Sequence, residues 1–306
     1  GAGAVAMFLA DPFQDPEAIV ETRAATVVDR PRDLHQERET PTRPVFEHTD
    51  WQVVIPSIGW AAPDPDRRAA DEAEAVYGKI HVLVNNAGVA AGGRMWENTF
   101  KDWDFGVGVN IIGVANGLVI VLPRILKHGE EGHVVSTAST AGLTAVDACG
   151  IYNVTKYAVV GMMETLAGDL KDTNVGASVL IPGPTSTNLG ISTSANRPDH
   201  LKNENEPALP PPPTKEGKAP PPMDTGLFMD PVETGERVLR GIKRNDIWIH
   251  THPEFKEGII ARNEALIRAV PDEPVNTARR DLIKMFGSLL YNPIYKRQTQ
   301  VGPPDW

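Results

Sequence analysis

The sequence predicts an α/β fold built on a parallel sheet with helices on both faces. Three observations predict it. From about residue 72, short apolar runs alternate with segments of helical length. The apolar runs end in turn-forming Asn, Gly and Pro, as buried strands do. The order breaks down only between Asn188 and Asp230, where "EPALPPPPTKEGKAPPPMD" reads as an inserted lid segment.

The elements follow in order. "KIHVLVNNAG" reads as a buried strand closed by a turn. "WDFGVGVNIIGVANGLVIVLPRIL" has helical length and is expected to stop near Pro123. "GHVVSTAS" is the next strand. Gly150 to Leu170 reads as a helix with Val154, Ala158, Met162, Thr165 and Leu166 near one face. "GASVLIPG" is a strand closed by Pro182 and Gly183. "VETGERVLRGIKRN" is a helix, "DIWIHTH" the last strand, and "EFKEGIIARNEALIRAV" an amphipathic helix for core or subunit packing. Asn85, Ser139 and Thr187 fall just past strand ends, where such sheets bind ligands.

Residues 1 to 68 are irregular. No glycine occurs between Gly3 and Gly59, and prolines are scattered through the stretch. "AATVVDR" and "WQVVI" are its two credible strands. No internal repeat is visible.

The chain has 306 residues, 41% of them hydrophobic, which suffices for one large domain. We read 1–306 as a single domain with 188–230 as its lid. The net charge is -10 with no dense basic run, so a nucleic-acid partner is not expected. The apolar stretch "GVANGLVIVL" contains Asn116 and stops at Pro123, too short to span a bilayer. With no basic signal start and one cysteine, Cys149, the expectation is a cytoplasmic protein without membrane contact.

Chemistry centres on "YNVTK". Tyr152 and Lys156 lie four residues apart, on one face of a helix. A free tyrosine titrates near 10, and an adjacent ammonium favours its phenolate. An isolated pair of this kind is more often an ordinary surface pair. Ser139, thirteen residues upstream of Tyr152, could hydrogen-bond a substrate oxygen that gains charge. Asn110 is a poor residue for a helix interior and could hold a relay water.

Together, "NNAG" at 85–88, Asn110, Ser139 in "STAS", "YNVTK" at 152–156 and "PGPTST" at 182–187 resemble the short-chain dehydrogenase/reductase family. The resemblance covers roughly residues 69 to 270, most like members with a long segment after "PG", such as those resembling the alcohol dehydrogenases of aromatic and lignin-fragment breakdown. It implies a Rossmann-like doubly wound sheet, NAD or NADP as cofactor, and a small-molecule alcohol or carbonyl as substrate. Tyr152 would be the general acid/base. Lys156 would lower its pKa and bind the nicotinamide ribose. Ser139 would steady the reacting oxygen, and Asn110 would complete the proton relay. Asn85, Ala87 and Gly88 would border the cofactor's adenosine side, Thr187 would meet the carboxamide beside Pro182 and Gly183, and Asp29 would bind the adenosine ribose. The resemblance also implies a homo-oligomer joined through the Asn110 and Tyr152 helices, with Val114, Leu118, Val121, Met163 and Leu166 outermost.

The family's Gly-x-x-x-Gly-x-Gly loop has no counterpart here. Gly1, Gly3 and Ala6 fit only a looser pattern with no preceding strand. Either the N-terminal part has diverged and binds dinucleotide poorly, or the stretch is a wrong-frame translation. His250 and His252 alternate on a strand, but no third ligand is evident, so no metal is expected. The lid's Leu189, Ile191, Leu201, Leu209, Met223, Leu227, Phe228 and Met229 would favour a bulky hydrophobic or aromatic alcohol.

Overall fold

The computed structural model describes residues 53–54, 63–204, 227–286 and 293–299. Asp29, the strand expected in "AATVVDR", Leu209, Met223 and the proline-rich run lie outside these residues.

Among the described residues, five parallel strands form one sheet: β1 (Val53–Val54), β2 (Val82–Asn85), β3 (Gly132–Thr137), β4 (Val175–Ile181) and β5 (Trp248–His250). They lie side by side in chain order. The register sets Asn85 against Ser136, Ser136 against Val179 and Ile181 against His250. The carboxyl ends of β2 to β5 therefore form one rim.

Among the described residues, eight α-helices accompany the sheet: α1 (Pro63–Tyr77), α2 (Phe100–Val107), α3 (Gly113–His128), α4 (Gly150–Asp169), α5 (Leu189–Ala195), α6 (Pro231–Arg244), α7 (Lys256–Arg268) and α8 (Thr277–Met285). One face of the sheet packs on α1, α3 and α4 through Ala70, Ala73, Val121, Ile125, Val159 and Met163. The other face packs on α6, where Ile242 meets Val82, Val135, Leu180 and Ile249. Each fully buried aliphatic side chain contributes about 1.5–3 kcal/mol relative to exposure.

Several expectations need correction. α1 begins at Pro63, so order starts before residue 68; proline suits a first helical turn, whose N–H groups have no intrahelical partner. The second helix does not stop at Pro123. It continues to His128 and ends at Gly129, whose φ of 70° supplies a left-handed cap. Pro123 is exposed, and the residue whose carbonyl it cannot serve, Val119, is 68% exposed, so the broken turn faces solvent. The continuous helix Phe100–His128, 29 residues, is long and apolar enough to cross a membrane, contrary to the shorter estimate. Just over half of its most apolar window is buried inside the fold, as in a core helix.

The buried face of α4 is Ile151, Thr155, Lys156, Val159, Val160, Met163, Leu166 and Ala167. Val154 is instead exposed. The same shift moves four of the five positions assigned to a subunit interface: Val114, Val121, Met163 and Leu166 are buried in this chain's own core, and Leu118 packs against it. α7 buries none of its residues within the described structure, so it is not a core helix there. The segment after β4 is not wholly irregular. It opens with α5, and Leu201 is buried with Val89, Phe105 and Val109. Ile191 and Leu227 are about 70% and 71% exposed, so the expected apolar lid set does not act as one surface.

Candidate active site

The site lies along the rim of strand ends, and three close approaches build it. The amino end of α4 docks on the loop after β2: Tyr152 N–H donates to the Ala91 carbonyl at 2.9 Å and Gly150 N–H to the Gly93 carbonyl at 3.0 Å. α2 meets α4 at Gly106, where a Cβ would fall 2.5 Å from Ile151 Cγ2. The turn after β3 meets α4 at Gly142, where a Cβ would fall 2.6 Å from the Lys156 carbonyl oxygen. These contacts fix Tyr152, Lys156 and Ser139 relative to one another.

Ser139 is buried, two residues past β3, and caps a short 3-10 turn by accepting the Ala141 N–H at 3.2 Å. Its hydroxyl also hydrogen-bonds Tyr152. Lys156 is buried and donates to the Thr137 carbonyl at 2.9 Å. Its ammonium lies 5.5 Å from the centroid of the Tyr152 ring.

The electrostatics depart from the sequence reading. Burial raises the Tyr152 phenol above its ordinary value, the Ser139 hydrogen bond opposes this, and Cys149 adds to it. Burial lowers Lys156 to about 8. The expected lowering of Tyr152 by Lys156 is absent because the ammonium sits over the ring face and bonds Thr137, rather than meeting the phenolic oxygen.

Asn110 lies in a five-residue π-helical segment, Gly108–Ile112, between α2 and α3. Such wide turns recur at functional sites. Its amide is occupied by protein groups: Oδ1 accepts the Val89 N–H at 2.8 Å, and Nδ2 donates to the Val89 carbonyl at 3.0 Å and to Thr155 Oγ1 at 2.9 Å. The residue clamps the loop after β2 to α4. A Cβ built on Gly88 would stand 3.4 Å from both Asn110 Oδ1 and Lys156 Nζ. That glycine therefore leaves a small polar recess over the ammonium.

Asn85 does not face this recess. It is buried, donates to Ser136 Oγ at 3.1 Å, and lies against Gly117, where a Cβ would come within 2.1 Å of its Oδ1. The next residue, Asn86, is exposed at the rim and accepts from Thr137 Oγ1 at 2.9 Å. The sequence reading passed over it, although both asparagines stand in "NNAG". Ala87, half-buried, completes the turn.

Thr187 is exposed beyond β4, where Oγ1 accepts the Leu189 N–H at 3.4 Å. Pro182 contributes its carbonyl to Thr140 N–H at 3.0 Å. Gly183 is held by His252 rather than opened to a ligand. A Cβ there would meet the His252 ring at 2.6 Å, and its N–H donates to His252 Nδ1 at 3.1 Å. His252 Nε2 in turn reaches the Pro184 carbonyl at 2.9 Å. His252 thus locks the "PG" turn, a role that the alternation of His250 and His252 did not suggest.

Comparison with known proteins gives the same answer as this geometry. The family model described as short chain dehydrogenase matches residues 60–198. A short chain dehydrogenase/reductase from Burkholderia phymatum, solved in complex with NAD, is 31% identical with a TM-score of 0.60, covering 72% of this chain and 78% of that one. LigO from Sphingobium sp. strain SYK-6, solved in its apo form, is 31% identical with a TM-score of 0.55, covering 75% of each chain. The C alpha-dehydrogenase of Sphingobium sp. (strain NBRC 103272 / SYK-6) is 32% identical over 208 residues, which are 66% of this chain and 65% of that protein. The chain belongs to the short-chain dehydrogenase/reductase family.

Proposed function

We propose that the chain is an NAD(P)-dependent oxidoreductase that interconverts a secondary alcohol and a carbonyl. The convergence of Tyr152, Ser139 and Lys156 beside the Gly88 recess carries this reading. The nicotinamide half of a dinucleotide would lie over Gly88, where the absence of a side chain leaves Lys156 Nζ and Asn110 Oδ1 uncovered at close range. Lys156 would hold the ribose there, and Thr187 would meet the carboxamide. Asp29 would serve the adenosine half. The bound nicotinamide supplies or accepts hydride.

The protein's own part is proton transfer. In carbonyl reduction, the Tyr152 hydroxyl donates its proton to the substrate oxygen. The raised pKa keeps this phenol protonated at neutral pH, which suits the acid role. The Ser139 hydroxyl donates to the same oxygen as it gains charge. In alcohol oxidation the proton returns along the same path. Asn110 positions the site by clamping Val89 to Thr155. A bulky aromatic or hydrophobic alcohol is proposed as substrate on the strength of Leu189, Phe228 and Met229, which are partly covered in the segment after β4. As in the family, we propose a homo-oligomer.

A second reading is a binding protein without catalysis, favoured by the missing glycine loop. Titration with NADH and NADPH, followed by cofactor fluorescence, separates the two. Saturable binding together with turnover of an aryl carbinol supports the enzyme. Failure to bind either cofactor overturns it.

A further inference from the structure

We propose that His81, His128 and Glu130 form a binding site for one zinc-class divalent metal ion, at the amino end of the strands, opposite the carboxyl-end rim that holds Tyr152. His81 stands at the amino end of β2, His128 in the last turn of α3, and Glu130 just past the Gly129 cap. One donor atom from each lies within 4.8 Å of the others. This is the only such group of His, Cys, Asp and Glu among the described residues.

Two imidazoles and one carboxylate are a donor set that suits borderline metals such as Zn²⁺, Co²⁺ and Ni²⁺ rather than Mg²⁺ or Ca²⁺. The hydrogen bonds already orient the ligands. His128 Nε2 lies 2.9 Å from the Ile80 carbonyl, so it carries the hydrogen. That leaves the Nδ1 lone pair facing Glu130, where it accepts the Glu130 N–H at 3.1 Å. A ligating histidine characteristically holds its other N–H on a backbone carbonyl in this way. His81 Nε2 faces Glu130 Oε2 at 2.9 Å, a contact that must open by about 0.5 Å to admit an ion between them, with the ring hydrogen on Nδ1. The two rings lie 4.8 Å apart, centroid to centroid.

Three adjustments are needed. The Glu130 N–H must release His128 Nδ1, whose one lone pair cannot both accept it and hold the ion. Tetrahedral zinc at 2.0–2.1 Å from its ligands sets donors roughly 3.4 Å apart, so the widest pair must close by about 1 Å. Glu130 and Gly129 are exposed, and a carboxylate on such a turn can move. Lys79 also bonds Glu130 Oε1 and must release it. Lys79 is therefore a built-in competitor, and this gives the proposal a signature that a chance surface site lacks.

The test is calorimetric titration of the full, chelator-treated chain with ZnCl₂, with Co²⁺ absorption reporting coordination. We expect one ion per chain. Glu130→Gln should weaken binding at least tenfold, and His128→Ala should abolish it. Lys79→Met should tighten binding several-fold. The wild-type melting temperature should rise with saturating Zn²⁺, and that of Glu130→Gln should not. Glu130 and Lys79 are exposed, so their variants remain informative if a histidine variant fails to fold. Unchanged affinity in Glu130→Gln or in Lys79→Met overturns the proposal. So does a stoichiometry that His200→Ala lowers and His128→Ala leaves intact.

Discussion

Asp102 and Arg197, 95 residues apart in sequence, form an ion pair of 2.7 Å with both side chains largely buried. The carboxylate has a second task. Its Oδ2 accepts the Thr99 N–H at 2.7 Å and completes the capping box of α2. Asn203 donates to Oδ1 at 2.9 Å, and the guanidinium lies 5.4 Å from the Phe105 ring centroid. These bonds hold the Asp102 carboxyl below its usual range even though burial pushes it up. One side chain thus starts the helix that leads to Asn110 and ties down the segment after α5. Arg197→Met should cost about 3 kcal/mol, as breaking one side of a buried pair does. Hydrogen exchange over residues 189–204 should speed up, and KM should rise more than kcat falls. Unchanged exchange there would show that the pair does not hold the segment.

Tyr152→Phe keeps the ring against Lys156 and removes the hydroxyl assigned to pass the proton. We expect kcat to fall at least about a hundredfold, with cofactor affinity within a few-fold of the original. Near-normal turnover would remove Tyr152 from the mechanism.

Lys156 makes a pH prediction of definite sign. Its folded pKa of about 8 lies below the ordinary 10.5, so the unfolded chain binds more protons between those values. Its burial therefore opposes folding fully below about pH 8, and the penalty fades as pH rises toward 10.5. A shift of this size corresponds to roughly 3 kcal/mol at 1.36 kcal/mol per unit. Lys156→Met should stabilise the cofactor-free chain at pH 7, and denaturant titration should show that advantage shrinking by pH 10. The same variant should lose activity. A stability difference that is flat with pH would refute the assignment.

Gly117 and Asn85 make a matched pair. Gly117→Ala sets a methyl 2.1 Å from the Asn85 oxygen and should cost about 1–3 kcal/mol. Asn85→Ala makes room for it. The double variant should therefore be more stable than the sum of the two single losses predicts, by at least 0.5 kcal/mol or so. Strict additivity would mean that the helix and strand shift apart instead.

Much of this was legible in the sequence, for local reasons. β2 to β5 are short apolar runs bounded by turn residues, and α4 carries Tyr152 and Lys156 where the four-residue spacing places them. Contacts between distant segments were not legible. Nothing near Asn110 announces that its amide is held by Val89 and Thr155, and the Lys156 ammonium is turned from the phenol by a carbonyl on β3, nineteen residues away. Asp102 does not stand out in the sequence because its ion-pair partner, Arg197, lies far off, beyond β4. The face of α4 was misjudged because both sides carry apolar residues; only the sheet decides which is buried. Pro123 was read as a stop because the sequence does not reveal that its turn faces solvent.

The wide turn at Gly108–Ile112 carries a consequence for how this helix can change over time. An α-helix advances about 100° per residue, so one residue taken up in a wider turn sets the stretch after it out of phase with the stretch before. α2 presents Phe105 inward and α3 presents Val121 and Ile125, but the two stripes do not lie on one continuous helical line. Asn110 stands at the seam. A deletion of one residue there would restore a regular rod and still leave a stable-looking helix. It would also swing α3 by a quarter turn and more, carrying Gly117 away from Asn85. The segment should therefore tolerate a change of residue type better than a change of residue number, because its length keeps two packing surfaces in phase with their partners.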